Sequence, residues 1–304
     1  PRKKSLTLIL KGFAMGCADV IPGISGGTIA LMLGIYEELI ESIKTIDLAF
    51  LKSLINGRFK EAFDGVAWKF LFSLLTGIAL AFLTLAKVIS WLLTNKPVLI
   101  NAFFFGLIIA TVPVIARLIK KWTWINILII ALSAFLSFHI VTAVPINTPE
   151  SPLFLFLCGF ISICAMILPG ISGSFILVLL GKYQYILDAI HNLDILPIII
   201  VILGMATGIL SFVRVLSWLF HRFHDLTVAI LTGLVIGSLN KIWPWKETLR
   251  TIEGRHGKII PVEQINILPV NTDSEFFLAI ALIVFGFILA TLLNKQPLAI
   301  KSGN

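Results

Sequence analysis

Apolar residues in this chain come in long runs, and the polar residues collect between them. Six runs, at about 70–93, 98–116, 124–144, 196–220, 226–243 and 275–294, are long enough for a helix to cross a hydrocarbon core of about 30 Å. Two further apolar runs, about 8–35 and about 153–181, are each interrupted by the same pentapeptide, Pro-Gly-Ile-Ser-Gly, at 22–26 and 169–173. A different pattern follows the first break. Over residues 37–54, Leu39, Ile40, Ile43, Phe50, Leu51 and Leu54 gather near one helical face with charges opposite, which predicts a helix lying in the membrane interface.

The pattern occurs twice. Gly12 aligns with Gly159, Pro22 with Pro169, Ser25 with Ser172, Gly26 with Gly173, Gly34 with Gly181 and Tyr36 with Tyr183. Further on, TGI recurs at 76–78 and 207–209, KVISWLL (87–93) is echoed by RVLSWLF (214–220), and FGLIIAT (105–111) by TGLVIGS (232–238). The chain therefore reads as a duplication, with a first repeat over 1–145 and a second over 146–304.

A continuous helix over 153–181 would be about 43 Å long and overshoot the bilayer, whereas the arm after Pro169 and Gly170 is too short to cross alone. These lengths predict a re-entrant helical hairpin in each repeat. Charge points the same way. With the N-terminus cytoplasmic and the hairpins not crossing, Lys11, Lys44, Lys52, Arg58, Lys60, Lys69, Arg117, Lys120, Lys121 and Arg222 all fall inside, as the positive-inside bias requires. The basic loop 241–273 falls outside and runs against that bias, although long loops constrain orientation weakly. One hairpin plus three spans is an odd number of crossings, so the two repeats are expected to be inverted, an architecture common among secondary transporters. The expected fold class is an all-α polytopic membrane protein.

Composition agrees. The 304 residues are 58% hydrophobic and 13% charged, with a mean hydropathy of +1.01. A soluble domain carries about a quarter charged residues. The net charge of +8 is read as topology-setting, so nucleic acid is not an expected partner. Cys17, Cys158 and Cys164 lie inside apolar runs without CxxC spacing and read as packing residues, so no metal is expected.

Irregular backbone inside a membrane is tolerated where it lines a cavity. At each break the glycines permit tight turns (Pro22–Gly23 and Pro169–Gly170), and Ser25 or Ser172 can cap the following helix. Free amides at that helix start would seat an anionic oxygen, with Gly26, Gly27 and Thr28 in one copy and Gly173 and Ser174 in the other. The plainer reading is a tight tip whose serines satisfy only backbone. Lys87 and Arg214 occupy equivalent positions in apolar runs, where charge faces an interior path or snorkels to the surface. Asp19 has no acidic counterpart, since Met166 takes the matching place. It can relay a proton or brace the turn.

The run DVIPGISGGTIALMLGIYEEL at 19–39, echoed by ILPGISGSFILVLLGKY at 167–183, resembles the DUF368 family of bacterial membrane proteins over nearly the whole chain. The resemblance implies a polyprenyl-phosphate translocase of the inner membrane that returns undecaprenyl phosphate from the outer to the cytoplasmic leaflet. Its motif residues map onto Asp19, Pro22, Gly23, Ser25, Gly26, Gly27 and Thr28, and onto Pro169, Gly170, Ser172 and Gly173. Such a protein would hold the headgroup between opposed tips, neutralised by Lys87 and Arg214, with proton or sodium coupling and no organic cofactor. Polyprenyl-phosphate and bilayer phospholipids are the expected partners. Two rival readings are a membrane pyrophosphate-lipid phosphatase, which places an Arg after its PGxS turn, and a carrier of a small soluble anion.

Overall fold

A computed structural model of the chain describes residues 2–21, 24–146, 148–253, 259–269 and 273–294. The first half runs through helices α1 (Arg2–Asp19), α2 (Gly26–Met32), α3 (Tyr36–Lys44), α4 (Leu48–Ile55), α5 (Phe59–Asp64), α6 (Trp68–Asn95), α7 (Pro97–Ala116) and α8 (Trp124–Thr142). The second runs through α9 (Pro152–Ile167), α10 (Gly173–Leu179), α11 (Tyr183–His191), α12 (Ile195–Arg222), α13 (His224–Ser238, extended by a 3-10 turn at Leu239–Ile242) and α14 (Ser274–Leu293). Six of these are long and apolar enough to cross a membrane: α6, α7, α8, α12, α13 with its extension, and α14. The protein is a multi-pass membrane protein, and each observed span lies within two residues or so of its sequence expectation.

Local chemistry sets the helix starts. Thr123, Ser151 and Asp273 accept hydrogen bonds from the amides of Asn126, Phe154 and Phe276, and Pro97 and Pro152 occupy first-turn positions where no amide is needed. The broken segments behave as their lengths require. α9 rises about 24 Å and α10 about 10 Å, so neither crosses alone; α10 folds back on α9, as α2 does on α1. After each short arm a glycine with positive φ, Gly34 (67°) or Gly181 (64°), turns the chain, and α10 and α11 are bent by 105°.

One expectation needs correction. The interfacial helix over 37–54 is two helices. Thr45 turns its hydroxyl back onto the Ser42 carbonyl at 2.6 Å, and Asp47 accepts from Phe50 N at 2.8 Å to start α4 afresh. The side chains of Leu51 and Leu54 lie outside the described residues. The fold is helical as expected, and the described sheet is one antiparallel hairpin in loop 241–273, β1 (Lys246–Glu253) and β2 (Ile259–Asn266). Strands form here because these residues stand outside the bilayer, where an exposed sheet edge meets water.

Contacts between helices follow the repeat. α1 packs along α6 and α9 along α12, while α7 pairs with α14 and α13 with α8. Glycines sit where the backbones touch. A Cβ on Gly12 would stand 2.2 Å from Leu74 O, and one on Gly159 2.3 Å from Val201 O; on Gly106 and Gly233 it would stand 1.9 Å from Ile283 O and 2.4 Å from Ile130 O.

These contacts correct the register of the repeat. A shift of 127 residues carries Leu74 to Val201, Gly77 to Gly204, Lys87 to Arg214 and Trp68–Asn95 onto Ile195–Arg222. The TGI match thus lies about one helical turn out of register, because backbone contact, not a recurring tripeptide, fixes the level of a helix. In the hairpins the shift is 147, carrying Gly26–Met32 onto Gly173–Leu179 and Tyr36–Lys44 onto Tyr183–His191. The difference is α4 and α5, which only the first half carries.

Replacing Gly106 by Leu forces α7 off α14. It should lower stability by about 1–3 kcal/mol, seen as a lower thermal midpoint in detergent. Gly65→Ala, where the nearest atom to a new Cβ is 4.0 Å away, should leave that midpoint unchanged.

Candidate functional site

The two hairpin tips meet inside the protein. Ser25 precedes α2 in extended backbone; its Oγ accepts from Gly27 N at 3.1 Å and donates across to Met166 O at 2.9 Å. The Tyr36 hydroxyl donates to Ile167 O at 3.0 Å, and Gly170 N donates to Thr28 Oγ1 at 2.9 Å. Ser25, Thr28 and Tyr36 are all buried. Side chains of the first tip thus bond the backbone where α9 breaks, satisfying groups that the membrane interior would leave bare.

Asp19, at the end of α1, accepts from Gly26 N at 2.6 Å. With the Ser25 cap this occupies the first amides of α2, so the first tip is braced by its own side chains. The second tip differs. Ser172 makes no capping bond to α10, and its Oγ lies 2.8 Å from Ser174 Oγ. Gly170 turns with φ +85°, and a Cβ there would stand 2.8 Å from Leu234 O and Ser238 Oγ. Pro169 lies in this turn; Pro22 and Gly23 lie outside the described residues.

A cavity of about 340 Å³ opens beside the tips. Asp19, Gly26 and Gly27 form its polar end; Trp68, Ile78, Ile163 and Ile209 are among its apolar walls, drawn from both halves. Among the described residues, Asp19 is the one ionisable group lining it. A carboxyl group there repels an anion when ionised and donates a hydrogen bond to one when protonated.

Lys87 and Arg214 keep their repeat-equivalent places and take no part in the described hydrogen bonds between the tips. Lys87 is exposed on α6, in a surface groove of about 650 Å³ shared with Val20, Ser90, Trp91 and Asn95. Arg214 is half-buried and donates to Leu210 O on its own helix. The structure brings Ser25, Gly26, Gly27, Thr28 and Asp19 together against the second tip and leaves the two cations outside that cluster.

Sequence reasoning missed three features. Tyr36 was visible as a repeated tyrosine, yet its bond to the opposite tip was not. Lys11, inside α1, donates to Leu33 O at 2.8 Å and so closes the far end of α2. The third is a polar seam between the halves. Ser217 on α12 donates to Glu41 at 2.5 Å and accepts from Lys44 at 2.7 Å; His224 approaches Glu37 at 3.4 Å, and Asp225 accepts from the amides of Lys120 and Lys121. Glu37 and Glu41, four apart on one face of α3, were the available signal.

Comparison with known proteins resolves the family. A family model described as undecaprenyl phosphate translocase-like matches residues 15–260. A polyprenyl-phosphate transporter of Vibrio cholerae serotype O1 is 40% identical over 296 residues, 95% of this chain and 96% of the relative. The chain belongs to the undecaprenyl phosphate translocase-like family. A polyprenyl-phosphate transporter of Staphylococcus aureus is 30% identical over 254 residues, 78% of this chain and 85% of the relative. No solved structure is similar to it.

Thr28→Val keeps the shape of the first tip but leaves Gly170 N without its acceptor. It should cost about 1–3 kcal/mol, read as a lower thermal midpoint in detergent. Ser174→Ala, at an exposed side chain, should cost clearly less.

Proposed function

We propose that this protein moves a polyprenyl-phosphate lipid carrier from the outer to the cytoplasmic leaflet of a bacterial inner membrane. The observation that carries this reading is the cavity beside the tips. Its polar end can meet a headgroup, and its apolar walls suit the start of a prenyl tail, while the longer tail stays in lipid. The names of both relatives support the substrate class.

An inverted repeat supplies the two-sided access such a movement needs. The contacts of the hairpins favour it. The first hairpin leads through α3 to the end of the bundle holding Lys120, Lys121, His221 and His224. The second opens at the other end, where Ile146 N donates to Leu179 O and Lys182 to Thr148 O. α8 runs between these ends. The first end gathers Lys44, Lys120, Lys121 and Arg222 and is assigned to the cytoplasm, with the N-terminus on that side.

In this reading the headgroup is held at Ser172, Gly173 and Ser174 and at the Asp19–Gly26–Gly27 end of the cavity. Ser25 and Thr28 hold the tips together until it binds. Lys87 and Arg214 approach the headgroup only when the tips part. Inward movement of an anion opposes a negative-inside potential by about 2.3 kcal/mol per charge per 100 mV, so proton or sodium coupling is part of the proposal, with Asp19 as the proton relay.

The test is a leaflet-accessibility assay for undecaprenyl phosphate in proteoliposomes. Native protein should equilibrate the lipid, and Ser172→Ala and Arg214→Ala should each slow it about tenfold, equivalent to about 1.4 kcal/mol of barrier. Native rates in both variants would overturn the site assignment. Release of inorganic phosphate from the pyrophosphate lipid would instead favour a phosphatase, and uptake of a soluble anion without polyprenyl lipid would favour an anion carrier.

A further inference from the structure

The loop whose positive charge ran against the topology rule encloses a small polar cleft. Lys241, on the 3-10 turn after α13, and Lys246, at the start of β1, share it with Asn240, Thr142, Gln264 and Asn266. The foot of the β-hairpin is fixed in place: Trp243 Nε1 donates to Ile267 O at 2.9 Å, Ile267 N to Trp245 O at 3.0 Å, and Asn266 Nδ2 to Asn240 O at 2.9 Å. The Trp243 ring lies edge-on to Phe105 of α7 and to Trp245, which in turn meets Phe276 at the start of α14. The cleft is therefore held between spans.

Its charge is unbalanced. Lys246 Nζ donates to the backbone carbonyl of Lys241, and Lys241 Nζ stands 4.5 Å from the centre of the Phe175 ring. Glu263 also lines the cleft, yet among the described residues neither lysine forms an ion pair with it or with any other carboxylate. Burial, together with the neighbouring charge of Lys241, pushes Lys246 down to about 8. Holding two ammonium groups side by side in a partly dry cleft is costly, and an anion between them removes the cost. The space of about 40 Å³ is that of roughly three waters, which suits a phosphate group rather than a sugar or nucleotide.

The cleft also adjoins the second tip. Phe175, under Lys241, immediately follows Ser174 and takes the place that Thr28 holds in the first copy.

We propose that Lys241 and Lys246 form a capture site for a phosphate monoester headgroup on a lipid, at the outer face, from which it passes to Ser174 and Ser172 of the second tip. Its ligand rests on the transport reading above; its geometry does not. Mobile surface lysines alone would not select size or pass a ligand to one tip, whereas this pair is fixed by the hairpin foot and aimed at one.

Binding of farnesyl phosphate to purified protein in detergent provides the test, with inorganic phosphate and farnesol as separate probes. Native protein should bind farnesyl phosphate, and the Lys241→Gln/Lys246→Gln double variant should bind it about tenfold or more weakly. Lys241→Arg/Lys246→Arg should restore most of the affinity, and Lys60→Gln on exposed α5 should change nothing. A native thermal midpoint in the double variant separates lost binding from lost folding, and the arginine pair reports on charge if the double variant does not fold. Unchanged affinity in the double variant, or no recovery with arginine, overturns the site. Inorganic phosphate binding as tightly as farnesyl phosphate overturns the lipid source. Proteoliposome flipping separates the two proposals. Native flipping with a double variant that binds and flips normally refutes the capture site alone. Lysine-dependent binding without flipping by native protein refutes the transport reading alone.

Discussion

Breaking a helix inside a hydrocarbon layer strips backbone amides and carbonyls of their partners, and no water is present to replace them. This protein has two such breaks, braces the first with its own Asp19 and Ser25, and answers the second with side chains of the first hairpin. Ser25, Tyr36 and Thr28 bond Met166 O, Ile167 O and Gly170 N, so the two tips complete one hydrogen-bonded junction. Most other features serve this contact. Glycines let α1 lie on α6 and α9 on α12 without intervening side chains, which brings the hairpins deep enough to touch. The left-handed turn at Gly170 brings its amide to Thr28.

The junction is asymmetric although the repeat is not. The bonding side chains all come from the first tip and the bonded groups all from the backbone of the second. The sequence differences match this division: Asp19 faces Gly26 where the second copy has Met166, and Thr28 accepts where the second copy has Phe175. Once one copy supplies the partners, the other is released from that duty. Its serines bond each other, and its aromatic ring lies beneath Lys241. The two insertions diverge in the same way. One half carries the short helices α4 and α5, and the other the β-hairpin between α13 and α14.

Spans and breaks were legible because each is a statement about length and hydropathy, and those are local. The duplication was legible in Gly12, Pro22, Ser25 and their counterparts, but its register in α6 and α12 was not. A tripeptide match cannot say which residue faces a neighbouring backbone, whereas Gly12 against Leu74 and Gly159 against Val201 can. Leu39, Ile40, Ile43 and Phe50 do pack against the core, yet periodicity ran through the stop made by Thr45 and the fresh cap at Asp47. The tip residues were singled out as a set, and Ser25, Gly27 and Thr28 do meet the backbone of the second tip. Their partners were not legible, because a hydrogen bond from Ser25 to Met166 crosses 141 residues and leaves no spacing to read. Lys241 and Lys246 were counted only as loop charge, since their burial depends on the β-hairpin foot.

The conformation described here also constrains how any transport must proceed. With the tips joined, Lys87 lies in a surface groove and Arg214 bonds its own helix, so neither takes part in the hydrogen bonds of the junction. Among the described residues three hydrogen bonds hold the junction, and each buried group left bare by parting it costs about 1–3 kcal/mol until it finds a new partner. That is the size of gap a ligand closes by binding one state better than the other. A phosphate that replaced the serine and threonine partners would open the junction by mass action, with no separate gate. The same bonds that let two broken helices persist in lipid would then keep the pathway shut until a headgroup arrives.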